Sequence, residues 1–159
     1  MGVVTHTVNP DGGADYTSLS AWDATENGNL VTGARDGEIA TAVCHTGGSA
    51  DTTAFDLDGW TTDADGYCSI TIDSAHRHAG VWDANKYRLI AANWHAIQIY
   101  EDYTRIDGLQ IGFSGTITYD IGAIKWKASG LHAKVSNCIV QGHTTVGYSS
   151  RPTGSLRIA

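Results

Sequence analysis

The feature that most constrains the fold is a pattern of short alternating segments that occurs twice in the second half of the chain. Residues 96–115, AIQIYEDYTRIDGLQIGFSG, align with residues 123–143, AIKWKASGLHAKVSNCIVQGH. The alignment places Ile97 and Ile99 on Ile124 and Trp126, and Leu109 and Ile111 on Cys138 and Val140. A period in the twenties with several short strands per repeat predicts a stack of rungs whose strands form separate parallel sheets.

The Asp107-Gly108 pair lies between two alternating runs and is, taken alone, a strong signal for an antiparallel hairpin. The repeat favours a different interpretation. We predict that the two runs are consecutive sides of one rung, with Ile97/Ile99 stacked on Ile124/Trp126 in parallel register.

Composition agrees with a β-rich domain. The 159 residues include 19 Gly and only 17% charged residues, which is typical of short strands joined by tight turns. Short β-branched or aromatic runs recur at 3–8, 39–45, 52–58, 67–73, 87–92, 96–100, 103–111, 123–127, 131–140 and 155–159. We predict one structural domain, with residues 1–36 forming a strand, a loop and a capping helix, and residues 37–159 forming the rungs.

One segment, TSLSAWDATENG, carries helix signals. Thr17 or Asp15 is placed to cap its start, and Asn27-Gly28 is placed to stop it. The spacing predicts a helix over 17–27 whose Leu19 and Trp22 face rests on an apolar surface.

The run YTRIDGLQI, followed by VSNCIVQG, resembles the repeat unit of right-handed parallel β-helix proteins of the pectate-lyase-like superfamily. The opening NPDGGADYTSLSAWDAT resembles the entry segment of that superfamily, seen in phage tailspikes and polysaccharide-active proteins. The resemblance implies an all-β, short right-handed parallel β-helix, or solenoid, closed by an N-terminal capping helix. It says little about activity, because this architecture hosts lyases, hydrolases, adhesins and inert shafts.

The net charge of −7 argues against nucleic acid or an anionic membrane surface as the main partner. No apolar run approaches the length of a membrane span, and no secretory signal is recognisable at the N-terminus. The expected location is extracellular or in a virion. The spacing of Cys44, Cys68 and Cys138 matches no zinc module, and we expect all three to be small buried residues. A disulfide between Cys44 and Cys68 is a less favoured alternative.

The acidic residues offer two candidate sites. Asp63 and Asp65 alternate before a Gly and resemble part of a Ca²⁺ loop, but they do not complete an EF-hand, and turn chemistry is the favoured interpretation. The resemblance to lyases and hydrolases implies a second site of carboxylates with an Arg. Asp56 and Asp58 share one face of a strand, and their candidate companions are Asp73, Arg88 and Arg105.

Histidines and aromatic residues supply the remaining candidates. The HRH segment at 76–78 needs a third ligand to hold a metal, and the pattern favours a polar turn over a site with His45 or His95. Trp60, Trp82 and Tyr119 are candidates for stacking on sugars or anchoring a partner, or for packing loops onto the rungs.

The favoured function is a non-enzymatic structural or binding module of a larger assembly, such as a phage virion or a cell surface. The alternative is a polysaccharide lyase or glycoside hydrolase, or a fragment of one. In SLRIA, Leu156 and Ile158 alternate with Arg157, and we expect a protein partner or a second copy to cover this last rung. No cofactor is expected, with Ca²⁺ and polysaccharide kept as alternative ligands.

Overall fold

Parallel strands dominate the fold. The computed structural model describes residues 2–92, 95–114, 122–127 and 132–142. One α-helix, α1, spans Leu19–Glu26, and a 3-10 turn spans Gly33–Arg35. The strands are β1 (Val3–Val8), β2 (Ile39–Cys44), β3 (Phe55–Leu57), β4 (Tyr67–Ile72), β5 (Arg88–Ala91), β6 (Ile97–Ile99), β7 (Arg105–Asp107), β8 (Gln110–Phe113), β9 (Ile124–Trp126), β10 (Lys134–Ser136) and β11 (Ile139–Val140). The predicted strand at 155–159 lies outside the described residues.

The strands form three parallel sheets, here called sheets 1, 2 and 3. Sheet 1 has the order β1-β2-β4-β7-β10, sheet 2 has the order β11-β8-β5, and sheet 3 has the order β3-β6-β9. From β3 onward, each successive group of three strands adds one strand to sheet 3, then one to sheet 1, then one to sheet 2. The chain therefore visits the three sheets in the same order in each group.

The register predicted from the sequence repeat is confirmed. Ile97 pairs with Ile124 and Ile99 with Trp126 in parallel. Ile111 pairs with Val140, and the Ile139 N–H donates to the Leu109 carbonyl at 2.9 Å. The parallel pairs explain why apolar residues recur 27 to 29 positions apart.

The Asp107-Gly108 pair joins two sheets and does not form a hairpin. β7 pairs with β4 and β10, whereas β8 pairs with β5 and β11. Gly108 has a φ of 83°, and a Cβ on it would lie 2.7 Å from the Arg77 guanidinium carbon. The left-handed backbone favours a glycine at this turn, and the absence of a side chain leaves room for the Arg77 guanidinium.

Alternate residues of the strands bury a single hydrophobic core. Leu57 of sheet 3, Ile70 of sheet 1 and Leu89 of sheet 2 are all fully buried in it. Cys44 and Cys68 are also buried and free, as expected of small core residues. All three sheets therefore share one apolar interior, and the polar alternates face outward.

Helix α1 covers part of this core. It begins at Leu19, two residues after the predicted start at Thr17, because Ser18 is the N-cap and its hydroxyl accepts from the Ala21 N–H at 3.0 Å. It ends before Asn27, and Leu19 and Trp22 are fully buried, as predicted. The helix contacts β1, β2 and β3.

Replacing Trp22 by Ala should lower the free energy of unfolding by about 3–5 kcal/mol, since a large buried aromatic would leave a cavity. Val81→Ala is the control, because Val81 is 68% exposed and should change stability by less than about 0.5 kcal/mol. Urea unfolding of both variants measures the difference. A Trp22→Ala value within error of the control would show that the helix does not seal the core.

Candidate carboxyl site

Three carboxyl groups converge where α1 meets the turns that follow β3 and β6. Asp23 lies on α1, Asp58 directly follows β3, and Glu101 lies two residues beyond β6. The charges of Asp58 and Glu101 act on Asp23, and the charge of Asp58 also acts on Glu101. We call Asp23, Asp58 and Glu101 the carboxyl cluster.

Trp60 holds two members of the carboxyl cluster in place. Its indole Nε1 donates to Asp23 Oδ1 at 2.7 Å, and its backbone N–H donates to Glu101 Oε1 at 3.1 Å. The ring lies 5.3 Å from that of Trp22, and the Arg35 guanidinium lies 5.7 Å from its centroid. The tryptophan thus links the helix, the cluster and the core.

Strand register brings the two turns of the cluster together. Leu57 pairs with Ile99, and the Tyr100 N–H donates to the Leu57 carbonyl at 3.0 Å. The residues after β3 and β6 therefore lie side by side. Gly59 has a φ of 84°, and a Cβ there would lie 2.9 Å from Asn27 Nδ2, so this glycine admits the C-terminal end of α1.

Burial raises the proton affinity of two carboxyl groups, those of Asp23 and Glu101. Burial, reinforced by the charges of Asp58 and Glu101, raises the pKa of Asp23 to about 7, although the Trp60 indole N–H opposes the shift. Burial also raises the pKa of Glu101. A carboxyl group that is partly protonated near neutral pH can act as a general acid. Asp23 is only 6% exposed, so direct contact with a large substrate needs movement of its surroundings.

The carboxylates proposed from sequence do not come together as one site. Asp58 belongs to the carboxyl cluster, but Asp56 is exposed on β3 and accepts from Gln98 Nε2 at 2.6 Å. Asp73 follows β4 on another sheet and contacts His76 Nδ1 at 3.0 Å. Sequence reasoning missed Asp23, whose place in the cluster depends on how the helix packs.

The two proposed arginines lie on separate sheets. Arg88 is on β5 of sheet 2, and its Nη2 donates to the Gly48 carbonyl at 2.9 Å. Arg105 is on β7 of sheet 1, with its guanidinium 5.0 Å from the Tyr67 ring centroid and its Nη1 donating to the His132 carbonyl at 3.0 Å. Both arginines make these contacts away from the carboxyl cluster, and the guanidinium that lies over the Trp60 ring is that of Arg35.

The aromatic candidates have different outcomes. Trp60 is only 5% exposed and its ring lies in the core, which favours the alternative that it packs a loop onto the rungs. Trp82 is partly exposed and lies against Gly112 of β8. Tyr119 and the assembly residues Leu156, Arg157 and Ile158 lie outside the described residues.

The Asp63–Asp65 segment folds as a tight turn. Asp63 Oδ1 accepts from the backbone N–H of Asp65 at 2.8 Å and of Gly66 at 2.7 Å. This is the local side-chain to backbone bonding that Asp provides in turns. Ca²⁺ binding by the pair stays an alternative prediction.

The outward face of sheet 1 carries a shallow polar depression lined by Arg105, Asp107, Lys134, Ser136 and Asn137. Asp107 is its carboxylate. A hydrogen bond from Arg77 at 2.5 Å, with others from Ser136 and Asn137, lowers the pKa of Asp107 to about 2. The carboxylate stays charged near neutral pH, and its hydrogen bonds organise the turn around it.

No family model, curated protein or solved structure matches the chain. Within the described ranges, the single α-helix has eight residues, and none of the helices is long and apolar enough to cross a membrane.

Asp23→Asn should change how stability depends on pH. The folded-state pKa of about 7 is above the usual value of 3.8 for an aspartate, so the stability contributed by protonated Asp23 is present at acid pH and lost as pH rises towards 7. Between pH 5 and pH 8, the wild type should lose about 2–3 kcal/mol relative to Asp23→Asn. The amide keeps the acceptor for the Trp60 indole.

Urea unfolding at both pH values tests this expectation. Asp65→Asn is the control, since Asp65 is exposed and outside the carboxyl cluster, and its curve should run parallel to the wild type. If the stability difference between wild type and Asp23→Asn is the same at both pH values, the pKa of Asp23 is not raised in the folded state.

Proposed function

We propose that this chain is a right-handed parallel β-helix of the pectate-lyase-like type that acts as a non-enzymatic structural or binding module. The fold proposal is supported by the groups of three strands that visit the three sheets in constant order. Each group is then one rung, and α1 is the cap. The proposed setting is a larger extracellular assembly, such as a virion or a cell surface.

The observation that carries the assembly role is the open edge of sheet 1 at β1. Alternate residues of a parallel strand direct their backbone groups to opposite neighbours. The Gly2 carbonyl accepts from the Ile39 N–H of β2, and the Val8 carbonyl accepts from the His45 N–H directly after β2. The residues that alternate with these, Val3, Thr5 and Thr7, therefore direct their backbone N–H and C=O groups to the side of β1 that faces away from β2.

This open edge is only partly covered. Thr7 has partners there, because its N–H donates to Asp15 Oδ2 at 2.7 Å and its carbonyl accepts from the Tyr16 N–H at 3.0 Å. In the described part of the chain, the backbone groups of Val3 and Thr5 have no such partners. Val3 is 63% exposed, and an unpaired edge with exposed valines favours pairing with another strand.

Val3→Lys should weaken association, because a lysine on an edge strand opposes strand pairing. Val81→Lys is the matched control: the same change at a valine that is 68% exposed in a turn. Sedimentation velocity at rising concentration should show self-association of the wild type and of Val81→Lys, and a shift of Val3→Lys to monomer. A wild type that stays monomeric, or equal behaviour of the two variants, would contradict assembly through this edge.

The carboxyl cluster favours a second candidate, a glycoside hydrolase or polysaccharide lyase. Its support is the raised pKa of Asp23 beside Asp58 and Glu101. Glycosidases need two carboxyl groups with separated proton affinities. The limited exposure of Asp23 and the scatter of Asp56, Asp73, Arg88 and Arg105 make this the weaker of the two candidates.

We expect no unsaturated products and no new reducing ends from uronate or neutral polysaccharides, with or without Ca²⁺. Product analysis of the wild type, Asp58→Asn and Asp56→Asn decides between the candidates. Asp56 is the control because it is exposed on β3, two residues before Asp58, and lies outside the carboxyl cluster. Activity that is lost in Asp58→Asn and kept in Asp56→Asn would establish the enzyme.

A further inference from the structure

Two histidines and an aspartate meet at the end of sheet 1 where β2 and β4 finish. His45 directly follows β2, and Asp73 directly follows β4. The pairing of Cys44 with Ile72 places these two residues side by side. His76 follows in the next turn, and one ligand atom from each of the three residues lies within 4.8 Å of the others. We call His45, Asp73 and His76 the histidine cluster.

The backbone holds each member of the histidine cluster. The His45 N–H donates to the Val8 carbonyl at 2.8 Å, and the Asp73 N–H donates to the Cys44 carbonyl at 3.1 Å. The His76 N–H donates to the Asp73 carbonyl at 2.9 Å. The three side chains are therefore brought together before any ligand binds, which reduces the ordering cost of binding.

The cluster has unused ligand capacity. His45 Nε2 is buried and has no hydrogen-bond partner among the described residues. Asp73 uses Oδ1 for the Ala75 N–H at 2.9 Å and for His76 Nδ1 at 3.0 Å, while Oδ2 has no partner there.

We propose that His45, Asp73 and His76 bind one Zn²⁺ ion. Two imidazoles and a carboxylate are a donor set that zinc accepts, whereas Ca²⁺ and Mg²⁺ prefer oxygen ligands. Zinc bonds of about 2.0–2.1 Å require the three ligand atoms to draw somewhat closer than 4.8 Å. Three protein ligands leave the fourth tetrahedral position for water or an external ligand.

The ion would fix the turn that carries the HRH segment across sheet 1. In that turn, Arg77 Nη1 donates to Asp107, the last residue of β7. His78 Nε2 contacts the carbonyl of Asn137, which directly follows β10, at 2.9 Å. His76 and His78 therefore face different strands, and the metal pair is His45 with His76. His95 lies elsewhere, with its Nδ1 accepting from the Gly122 N–H at 2.9 Å.

Isothermal titration of the metal-free chain with Zn²⁺ tests the proposal. We expect one ion per chain and a rise in Tm with zinc concentration, since a ligand that binds only the folded state stabilises it. His76→Ala should weaken binding at least about tenfold, because a ligand is lost. His78→Ala is the matched control, two residues away on the same turn, and should bind like the wild type.

A second variant and a spectroscopic probe complete the test. His45→Gln should also lose affinity, and circular dichroism checks its fold because His45 lies partly inside the protein. Co²⁺ in place of Zn²⁺ should give the visible absorption of a tetrahedral site in the wild type and not in His76→Ala. Absence of binding at millimolar Zn²⁺, or equal loss in His76→Ala and His78→Ala, would overturn the proposal.

Discussion

Parallel pairing of strands from successive segments is the interaction on which the rest of the structure depends. Each pair places like residues side by side, as Ile97 on Ile124 and Ala42 on Ile70, so apolar side chains form continuous rows beneath each sheet. The same pairing aligns the residues that follow the strands. Because the turns lie in rows as well, residues far apart in sequence meet at the ends of strands, and both clusters described above form there.

The repeat made much of the fold predictable. It predicted the register of β6 with β9 and of β8 with β11, and the Leu19 and Trp22 pattern predicted the buried face of the helix. The choice of Ser18 as N-cap was not predicted, because several residues near the start of α1 can serve as caps. Local competition of this kind is decided by how the helix packs on the sheets.

The clusters were harder to predict because they depend on turns. His45 and Asp73 are 28 positions apart, close to the spacing of the later repeat, so extending that spacing to β2 and β4 could have paired them. No repeating pattern in the sequence predicts that the His76 side chain approaches His45, or that the Trp60 indole hydrogen-bonds to Asp23. Turn conformation and helix docking supplied those contacts, and neither leaves a repeating pattern in the sequence.

The hydrogen bonds of the buried Asp51 side chain affect how the protein unfolds. Its buried carboxylate accepts from the Leu19 N–H at the start of α1 and from the Tyr87 hydroxyl beside β5, at 2.9 and 3.0 Å. Burial raises the pKa of Asp51, so the group depends on these donors when it is charged. Unfolding of α1 would remove the Leu19 donor from the buried Asp51 carboxylate, which is also hydrogen-bonded to Tyr87 beside β5. Unfolding of the helix is therefore coupled to opening of sheet 2, which favours cooperative unfolding.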